Sequence, residues 1–249
     1  MEHKGYKRII DTASVAILFI HGIVGTPDHF DKFIPLIPNN VSIYNMLLDG
    51  HGKAVRDFSR TSMKKWEDQV ADAVAELSRN HEKIFIVAHS MGSLFAIDRA
   101  IGCNKVQRLF LLAAPLKLFL KPKMMQNSFK VYRNKINPDD KEALAAKACY
   151  GIASDKNPFH YVGWIPRYLE LFSKIRQTRK VLHMLEAPCS VYLSRHDEMV
   201  SVRSAAYLND NPHITVKWLE ASGHYCYGDS DFDFLLNEFK RFIDVAMEK

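Results

Sequence analysis

One short segment constrains the fold more than any other part of this 249-residue chain. Four apolar residues at 84–87 are followed by the pentapeptide Ala88-His89-Ser90-Met91-Gly92, and an apolar-periodic stretch begins at Leu94. This pattern predicts a buried strand, a sharp turn and a helix. The positions two before and two after the serine must be small, because the strand end and the helix start nearly touch there. We therefore predict that Ser90 lies on a strained strand-to-helix turn.

The composition is that of an ordinary globular protein, with 47% hydrophobic and 25% charged residues. The first apolar run, residues 13–20, is too short to span a membrane, and no small-residue cleavage site follows it, so we interpret it as a strand. The four cysteines are widely spaced and form no C-x-x-C or Cys/His pattern, which favours free thiols in a reducing compartment over a metal site. We therefore expect a cytoplasmic protein.

Strand-like and helix-like segments alternate along most of the chain. Apolar runs predict strands at 15–20, 41–47, 84–87, 106–113, 189–193 and 214–219, and helical periodicity predicts helices starting at 61 or 62 and at 94–101, 202–208 and 232–247. The strands are apolar on both faces, as in sheets that helices cover on both sides. The alternation therefore predicts an α/β fold with a mostly parallel central sheet and helices on both faces.

Residues 116–184 break this alternation. They show helical patterning with breaks at prolines, including Pro166, and they hold 14 lysines and arginines against 5 acidic residues. Their net charge of +9 leaves −3 for the rest of a chain whose net charge is +6. We interpret the segment as a helical cap inserted into a core domain formed by residues 1–115 and 185–249.

Two explanations of the basic insertion stay open. It is either a solvated cationic face or a surface for weak contact with an anionic membrane. Nucleic-acid binding is not expected, because the insertion lacks the interleaved aromatic residues that single-strand binders use.

A serine hydroxyl is a poor nucleophile at neutral pH, so Ser90 needs a general base, and the base needs an orienting carboxylate. In an open parallel sheet such groups sit at the carboxyl ends of strands. Two loops in that position carry Asp197 and His224. Glu198 is a close rival of Asp197, and Asp229 is a weaker one. The order serine, aspartate, histidine along the chain is the order found in hydrolases with this type of nucleophile turn.

A glycine-containing loop, residues 21–26, follows the first strong strand. Its glycines allow the backbone to approach a substrate closely. The backbone N–H of Ile23, together with that of Met91, would form an oxyanion hole. We expect His21 to brace this loop, and we expect His89 to pack or hydrogen-bond rather than carry protons.

Taken together, these motifs resemble those of the α/β-hydrolase family, in particular its carboxylesterase and monoacylglycerol-lipase-like branch. The matching pieces appear in the family's order and span residues 15–224: they are His21-Gly22-Ile23-Val24-Gly25, Asp49-Gly50-His51-Gly52, Ala88-His89-Ser90-Met91-Gly92, Asp197 with Val200, and Ser222-Gly223-His224. Two positions depart from the family pattern. Ala88 replaces the first glycine of the serine turn, and Asp49 replaces a common proline. Neither touches a reacting group.

The resemblance implies a role for each residue of the site. Ser90 is expected to be the nucleophile, His224 the general base and Asp197 the partner of the base. The backbone amides of Ile23 and Met91 are expected to bind the oxyanion. No cofactor and no metal ion are implied.

The resemblance also makes residues 116–184 a lid over the site. Its apolar side chains would meet the acyl chain or form the core of the cap; the candidates are Met124, Met125, Phe129 and Trp164. We therefore expect a serine hydrolase that cleaves small to medium acyl esters, or monoacylglycerol-like esters, through an acyl-enzyme. A thioesterase, a peptidase acting on short peptides and a carbon–carbon hydrolase use the same triad. A catalytically silent module that binds a hydrophobic ligand is the alternative from another class.

Overall fold

The structure is a computed structural model that describes residues 3–119, 130, 136–153, 155 and 157–247. Its strands are β1 (Tyr6–Arg8), β2 (Val15–Ile20), β3 (Ser42–Met46), β4 (Lys53–Ala54), β5 (Lys83–His89), β6 (Val106–Leu112), β7 (Ile152–Ala153), β8 (Cys189–Ser194) and β9 (Ile214–Leu219). Its α-helices are α1 (Val55–Ser59), α2 (Met63–Asn80), α3 (Met91–Gly102), α4 (Lys141–Cys149), α5 (Trp164–Val181), α6 (Ser204–Leu208) and α7 (Asp229–Met247). Short 3₁₀ turns lie at Pro27–Phe30, Ile34–Leu36, Pro158–Tyr161 and Leu182–Met184.

Seven of the described strands form one sheet in the order β1-β3-β2-β5-β6-β8-β9. The pairing is antiparallel between β1 and β3 and parallel between all the other neighbours. The carboxyl ends of the parallel strands lie at one edge of the sheet, so the loops after β2, β5, β8 and β9 converge there. The predicted α/β architecture with a mostly parallel sheet is confirmed.

Strand β2 shows why both faces of the sheet are covered. Leu18 and Ile20 belong to a core cluster that the sheet forms with α2 and α3. Ile17 and Phe19 alternate with them along the strand and belong to a second cluster, formed with α7. Since successive strand residues point to opposite faces, a continuous apolar run is buried on both sides.

Helix α2 has the predicted amphipathic face. Its five apolar stripe positions are all buried: Met63, Trp66, Val70, Val74 and Leu77. Ser62 caps the helix, because its side chain accepts a hydrogen bond from the backbone N–H of Lys65 at 3.1 Å. The helix therefore begins directly after one of the two predicted caps.

Three predictions about the helices were inaccurate. Helix α3 begins at Met91, directly after the serine turn, rather than at Leu94. Helix α7 begins at Asp229 rather than at residue 232, and an aspartate in the first turn interacts favourably with the helix dipole. Pro166 was expected to interrupt helical structure, but it lies in the first turn of α5. A proline is tolerated there, because the N–H that it lacks has no intrahelical partner at that position.

The insertion contributes α4, β7 and α5. Strand β7 pairs in parallel with β4 of the preceding segment. In α5, Leu171 and Ile175 join the core cluster on the α2–α3 side of the sheet. Lys174 of the same helix is buried and forms ion pairs with Glu67 and Asp98. Helix α5 is thus part of the main packing layer, and the predicted boundaries of a separate cap domain stay a prediction.

Three functional features were sought in single segments: the candidate acyl-chain residues, a membrane-spanning helix and a metal site. Met124, Met125 and Phe129, predicted to meet the acyl chain, lie outside the described residues. Among the residues that the structure describes, no helix combines the length and the apolar character needed to cross a membrane. The same residues contain no group of three or more His, Cys, Asp or Glu side chains arranged to hold a metal ion.

Candidate active site

Ser90 lies on the turn between β5 and α3. Its backbone has φ = 50° and ψ = −123°, a strained conformation for a residue that carries a side chain. Gly92 has no room for a side chain, because a Cβ there would overlap the carbonyl oxygen of Ile20. Ala88, which departs from the usual glycine, is fully buried, so the turn accommodates its methyl group. The strained turn predicted around Ser90 is present.

Asp197 and His224 form a buried pair at the ends of two neighbouring strands, β8 and β9. The Nδ1–H group of His224 donates to the carboxylate of Asp197, at 2.9 Å from Oδ2 and 3.1 Å from Oδ1. The backbone N–H groups of Met199 and Val200 donate to Asp197 Oδ1 at 2.8 and 2.7 Å. These two bonds fix the carboxylate and thereby the ring that it holds.

Glu198 makes a different contact from its neighbour. Its Oε2 accepts a hydrogen bond from the backbone N–H of His224 at 2.7 Å. The carboxylate lies so close to Gly223 that a Cβ at that position would come within 2.9 Å of Oε2. Glu198 therefore holds the backbone of the histidine loop, whereas Asp197 holds the imidazole ring. This difference favours Asp197 over its rival as the partner of the ring.

The electrostatic environment of His224 favours its protonated form. Burial alone lowers the pKa of an imidazole, but here the charge of Asp197, its hydrogen bond and the charge of Glu198 outweigh burial and raise the pKa of His224. Nδ1 is engaged by Asp197. Nε2 is buried and has no hydrogen-bond partner among the described residues. Nε2 is therefore the nitrogen available to exchange a proton with a hydroxyl group or a substrate.

His89 connects the serine turn to the histidine loop. Its Nε2–H donates to the backbone carbonyl oxygen of His224 at 3.1 Å, and the centroids of the two rings lie 4.8 Å apart. Burial holds the pKa of His89 well below its usual value. His89 directly precedes Ser90, so its hydrogen bond places the loop of His224 beside the serine turn. The expected packing and hydrogen-bonding role of His89 agrees with these contacts.

The loop after β2 lies directly against the serine. A Cβ added to Gly22 would come within 2.9 Å of Ser90 Cβ, so only glycine allows this approach. Ile23 follows Gly22 and is buried. Met91 occupies the first position of α3, where a backbone N–H has no intrahelical acceptor. Both amides that the sequence predicts as oxyanion donors thus belong to residues next to the contact between Gly22 and Ser90.

His21 braces this loop through both of its ring nitrogens. Nδ1 donates to the carbonyl oxygen of Gly22 at 2.9 Å, and Nε2 accepts from the backbone N–H of Leu48 at 3.0 Å. Burial lowers the pKa of His21 to about 4. With both nitrogens engaged and a neutral ring at physiological pH, His21 is not available to exchange a proton with a substrate. Its contacts match the bracing role expected from the sequence.

Sequence reasoning missed a cluster of aromatic side chains around His89. The ring of His29 lies 4.0 Å from that of His89, and its Nε2 hydrogen-bonds the hydroxyl of Tyr227 at 3.2 Å. Burial lowers the pKa of His29 to about 3. Tyr225 packs edge-on against His224 at 4.7 Å. The two tyrosines closely follow the predicted base in the sequence, which was a usable signal, whereas His29 belongs to no motif.

Trp164 joins the start of α5 to the core. Its Nε1–H donates to the carbonyl oxygen of Val55 at 3.3 Å, and its ring packs against Phe58 at 4.7 Å and Tyr161 at 5.0 Å. These contacts anchor the helix of the insertion. A direct role of Trp164 in substrate binding stays a prediction.

The fold and the site together define a hydrolase with a serine on a strained turn and an Asp–His pair at neighbouring strand ends. Residues 17–237 match the model of a family described as the alpha/beta hydrolase family. The match covers most of the chain, and the protein belongs to the α/β-hydrolase family.

Two curated bacterial proteins are similar along nearly the whole chain. A "putative esterase/lipase" of Haemophilus influenzae is 22% identical over 258 residues, which cover 96% of this chain and 85% of the relative. A "carboxylesterase" of Bacillus subtilis is 22% identical over 234 residues, which cover 92% of each protein.

Solved structures show the same fold at low sequence identity. One comes from a study of LipS and LipT, two metagenome-derived lipolytic enzymes; it superposes with a TM-score of 0.74 at 17% identity and covers 98% of both chains. A soluble variant of monoglyceride lipase from Saccharomyces cerevisiae, in complex with a substrate analogue, superposes with a TM-score of 0.66 at 16% identity, over 97% of this chain and 90% of the lipase.

Proposed function

We propose that this protein is a serine ester hydrolase that works through an acyl-enzyme. The observation that carries the proposal is the buried pair of Asp197 and His224, which His89 links to the strained turn of Ser90. The names of the two bacterial relatives, an esterase/lipase and a carboxylesterase, support ester bonds as the target.

In the acylation step, Ser90 Oγ attacks the ester carbonyl carbon while His224 Nε2 accepts the hydroxyl proton. Asp197 keeps the ring in the tautomer that presents Nε2, and it stabilises the imidazolium ion that forms. The raised pKa of His224 reflects this stabilisation. The imidazolium then gives its proton to the departing alcohol, and the acyl group stays on the serine.

The carbonyl oxygen becomes negatively charged in the tetrahedral intermediate. The backbone amides of Ile23 and Met91 would donate hydrogen bonds to it from a site with little water, where such bonds lower the barrier strongly. In deacylation, water takes the place of the serine hydroxyl. His224 accepts a proton from that water as its oxygen attacks the acyl carbon. The bond from the acyl carbon to Ser90 Oγ then breaks, His224 returns the proton to Oγ, and the acid product leaves.

The proposed substrates are small to medium acyl esters or monoacylglycerol-like esters. Met124, Met125, Phe129 and Trp164 are the candidates for the wall that meets the acyl chain. Burying one substrate methylene against an apolar wall contributes up to about 0.8 kcal/mol, or about fourfold in kcat/KM. Activity is therefore expected to climb over the first several acyl carbons and then to level off when the pocket is full.

A panel of p-nitrophenyl esters from acetate to palmitate, combined with a fluorophosphonate probe, tests the function. We expect hydrolysis with a chain-length optimum and one covalent adduct, which peptide mapping assigns to Ser90. Thioesters, short peptides and carbon–carbon substrates run in parallel would reassign the reaction class if one of them is cleaved faster. A protein that binds hydrophobic ligands but shows neither hydrolysis nor an adduct would be a silent binding module.

A second proposal concerns the outer face of the insertion. Val162, Ile165, Leu169 and Phe172 follow one another at spacings of three and four residues, and between 41% and 61% of each is exposed. They form an apolar stripe that begins just before α5 and continues along it, on the segment whose net charge is +9. We infer weak docking of this stripe on an anionic bilayer, as a cytoplasmic location would allow at the inner leaflet.

Vesicle co-sedimentation tests this docking. The protein is expected to bind vesicles that contain phosphatidylglycerol, to bind neutral phosphatidylcholine vesicles less, and to be released by salt. Leu169→Ser should weaken the binding without changing hydrolysis of a soluble ester. Equal binding by this variant, or the absence of any preference for anionic vesicles, contradicts the proposal.

A further inference from the structure

The insertion contacts the backbone of the candidate site through Gly151, which lies between α4 and β7. The N–H of Gly151 donates to the carbonyl oxygen of Val24 at 2.8 Å. Its own carbonyl oxygen accepts from the N–H of Gly52 at 2.5 Å. Gly151 is therefore bonded on one side to the loop that carries the candidate oxyanion donor and on the other side to the segment that enters β4.

The position leaves no space for a side chain. A Cβ at Gly151 would overlap the carbonyl oxygen of Gly25 and the Cγ2 atom of Thr26. Both of these atoms belong to the loop after β2. A glycine is thus required for this close approach of the insertion to the loop.

A relay of two peptide groups leads from Gly151 to the amide of Ile23. The carbonyl of Val24 and the N–H of Gly25 belong to one planar trans peptide, in which they point in opposite directions. The N–H of Gly25 donates to the carbonyl oxygen of Gly22 at 3.0 Å. The carbonyl of Gly22 and the N–H of Ile23 belong to one peptide group, which is the second group of the relay. The bond from Gly151 therefore helps to orient the candidate oxyanion donor.

The loop needs such an outside restraint. Val24 has φ = 59°, an uncommon conformation for a β-branched residue, and it persists only where its surroundings hold it. The neighbours of Gly151 add further contacts between the insertion and the surroundings of the site. Cys149 Sγ lies 3.6 Å from Nδ1 of His29. The ring of Tyr150 packs edge-on against Tyr225 at 5.8 Å.

We propose that Gly151 is a positioning residue that aligns the Ile23 amide as an oxyanion donor, so that the seating of the insertion controls the strength of the oxyanion hole. The inference rests on the proposed ester hydrolysis. It assigns the insertion a part in catalysis that is separate from the binding of the acyl chain.

Two variants test the relay in the full-length protein. Gly151→Ala introduces the side chain for which there is no space, and it is expected to lower kcat by about 10- to 100-fold, because a small displacement of an oxyanion donor is costly. Replacing the residue with glycolic acid converts its amide into an ester, which removes the N–H without adding a side chain. This change is expected to lower kcat by about tenfold, the effect of one lost hydrogen bond. KM should change little in both.

The ratio of the rates of ester and thionoester hydrolysis distinguishes a misaligned oxyanion donor from a general loss of activity. Sulfur accepts hydrogen bonds weakly, so a misaligned amide should slow the oxygen ester more than the thionoester and lower the ratio. The pH profile should keep its midpoint, because the pair of Asp197 and His224 is untouched. Gly163→Ala is the matched control. It crowds Ser59 of α1 at another tight contact of the insertion, and it should leave the ratio at the parental value.

Hydrogen exchange in the segment 21–26 gives a readout that does not require activity. Both Gly151 variants should exchange faster there than the parent and the Gly163→Ala protein. Unchanged exchange together with an unchanged kcat and ratio in the folded Gly151 variants overturns the inference. A parent protein that hydrolyses no ester and takes up no fluorophosphonate overturns the proposed function instead, and exchange still decides whether Gly151 restrains the loop.

Discussion

The strand-end loops and the insertion hold their residues in different ways. The carboxylate of Asp197 accepts hydrogen bonds from two backbone amides. His224 is held at two points, because one carboxylate accepts from its ring and another accepts from its backbone N–H. Ser90 lies on a turn closed by tight glycine contacts. The described part of the insertion packs α5 into the main core and reaches the candidate site through Gly151, and it also exposes large apolar side chains. We therefore propose a division of roles in which the sheet edge carries the chemistry, while the insertion tunes it and selects the substrate.

The largest expected effect comes from the serine itself. Ser90→Ala removes the nucleophile, so ester hydrolysis should fall by about three or more orders of magnitude, leaving only what the oxyanion donors and substrate binding provide. Ser93→Ala is the matched control, since it removes a buried serine hydroxyl from the adjoining helix α3. A fluorophosphonate adduct that intact-mass measurement still detects in the Ser90→Ala protein would contradict the assignment of Ser90 as the nucleophile.

The two neighbouring carboxylates come next. Asp197→Asn removes the negative charge beside the imidazole ring of His224. It should lower kcat by about a hundred- to a thousandfold, because the amide cannot stabilise the imidazolium ion. Glu198→Gln keeps an oxygen that can accept a hydrogen bond from the His224 backbone, so kcat should fall by less than about tenfold. Steady-state kinetics of both variants decides between them, and a larger loss in the Glu198 variant would exchange their roles.

The pH profile distinguishes His224 from the other buried histidines. Only its neutral form can act as a base, so kcat/KM should rise by about tenfold per pH unit and level off above the pKa of the free enzyme. Because the pKa of His224 is raised, that midpoint should lie above 6.5. Glu198→Gln removes a charge that raises this pKa, so its midpoint should be lower.

His21 and His29, with pKa values of about 4 and 3, stay neutral above pH 5 and should add no second ionisation. A flat profile between pH 5 and 9, with chemistry limiting the rate, would remove His224 from the role of base.

The smallest effects are expected from the candidate acyl-chain residues of the insertion. Replacing Met124, Met125 and Phe129 with serine should remove up to about fourfold in kcat/KM for each acyl methylene that they contact, and so flatten the chain-length dependence. Reaction with a small fluorophosphonate should be preserved. Trp164→Phe serves as a comparison that keeps an apolar ring. If the triple variant retains the full chain-length preference, the acyl wall lies elsewhere.

Much of the core could be predicted from the sequence because the signals are local. The strand run at 15–20 and the stripe of α2 agree with the structure, since periodicity along a few turns decides which side is buried. The error at Pro166 is also local: a proline ends a helix only when it lies beyond the first turn. The packing of α5 into the main core was not predictable in this way, because Leu171 meets residues far away in the chain.

The amino-acid sequence by itself determined the parallel sheet, the serine turn and the strand-end loops that carry Asp197 and His224. These follow from apolar runs, small residues at fixed spacing and the order of motifs, all of which act over a few residues. Only the tertiary structure decided which carboxylate contacts the ring and which residue of the insertion contacts the oxyanion loop. Gly151 and Val24 are more than a hundred positions apart. Their hydrogen bond exists because the folded chain brings two loops together, and no local pattern encodes that meeting.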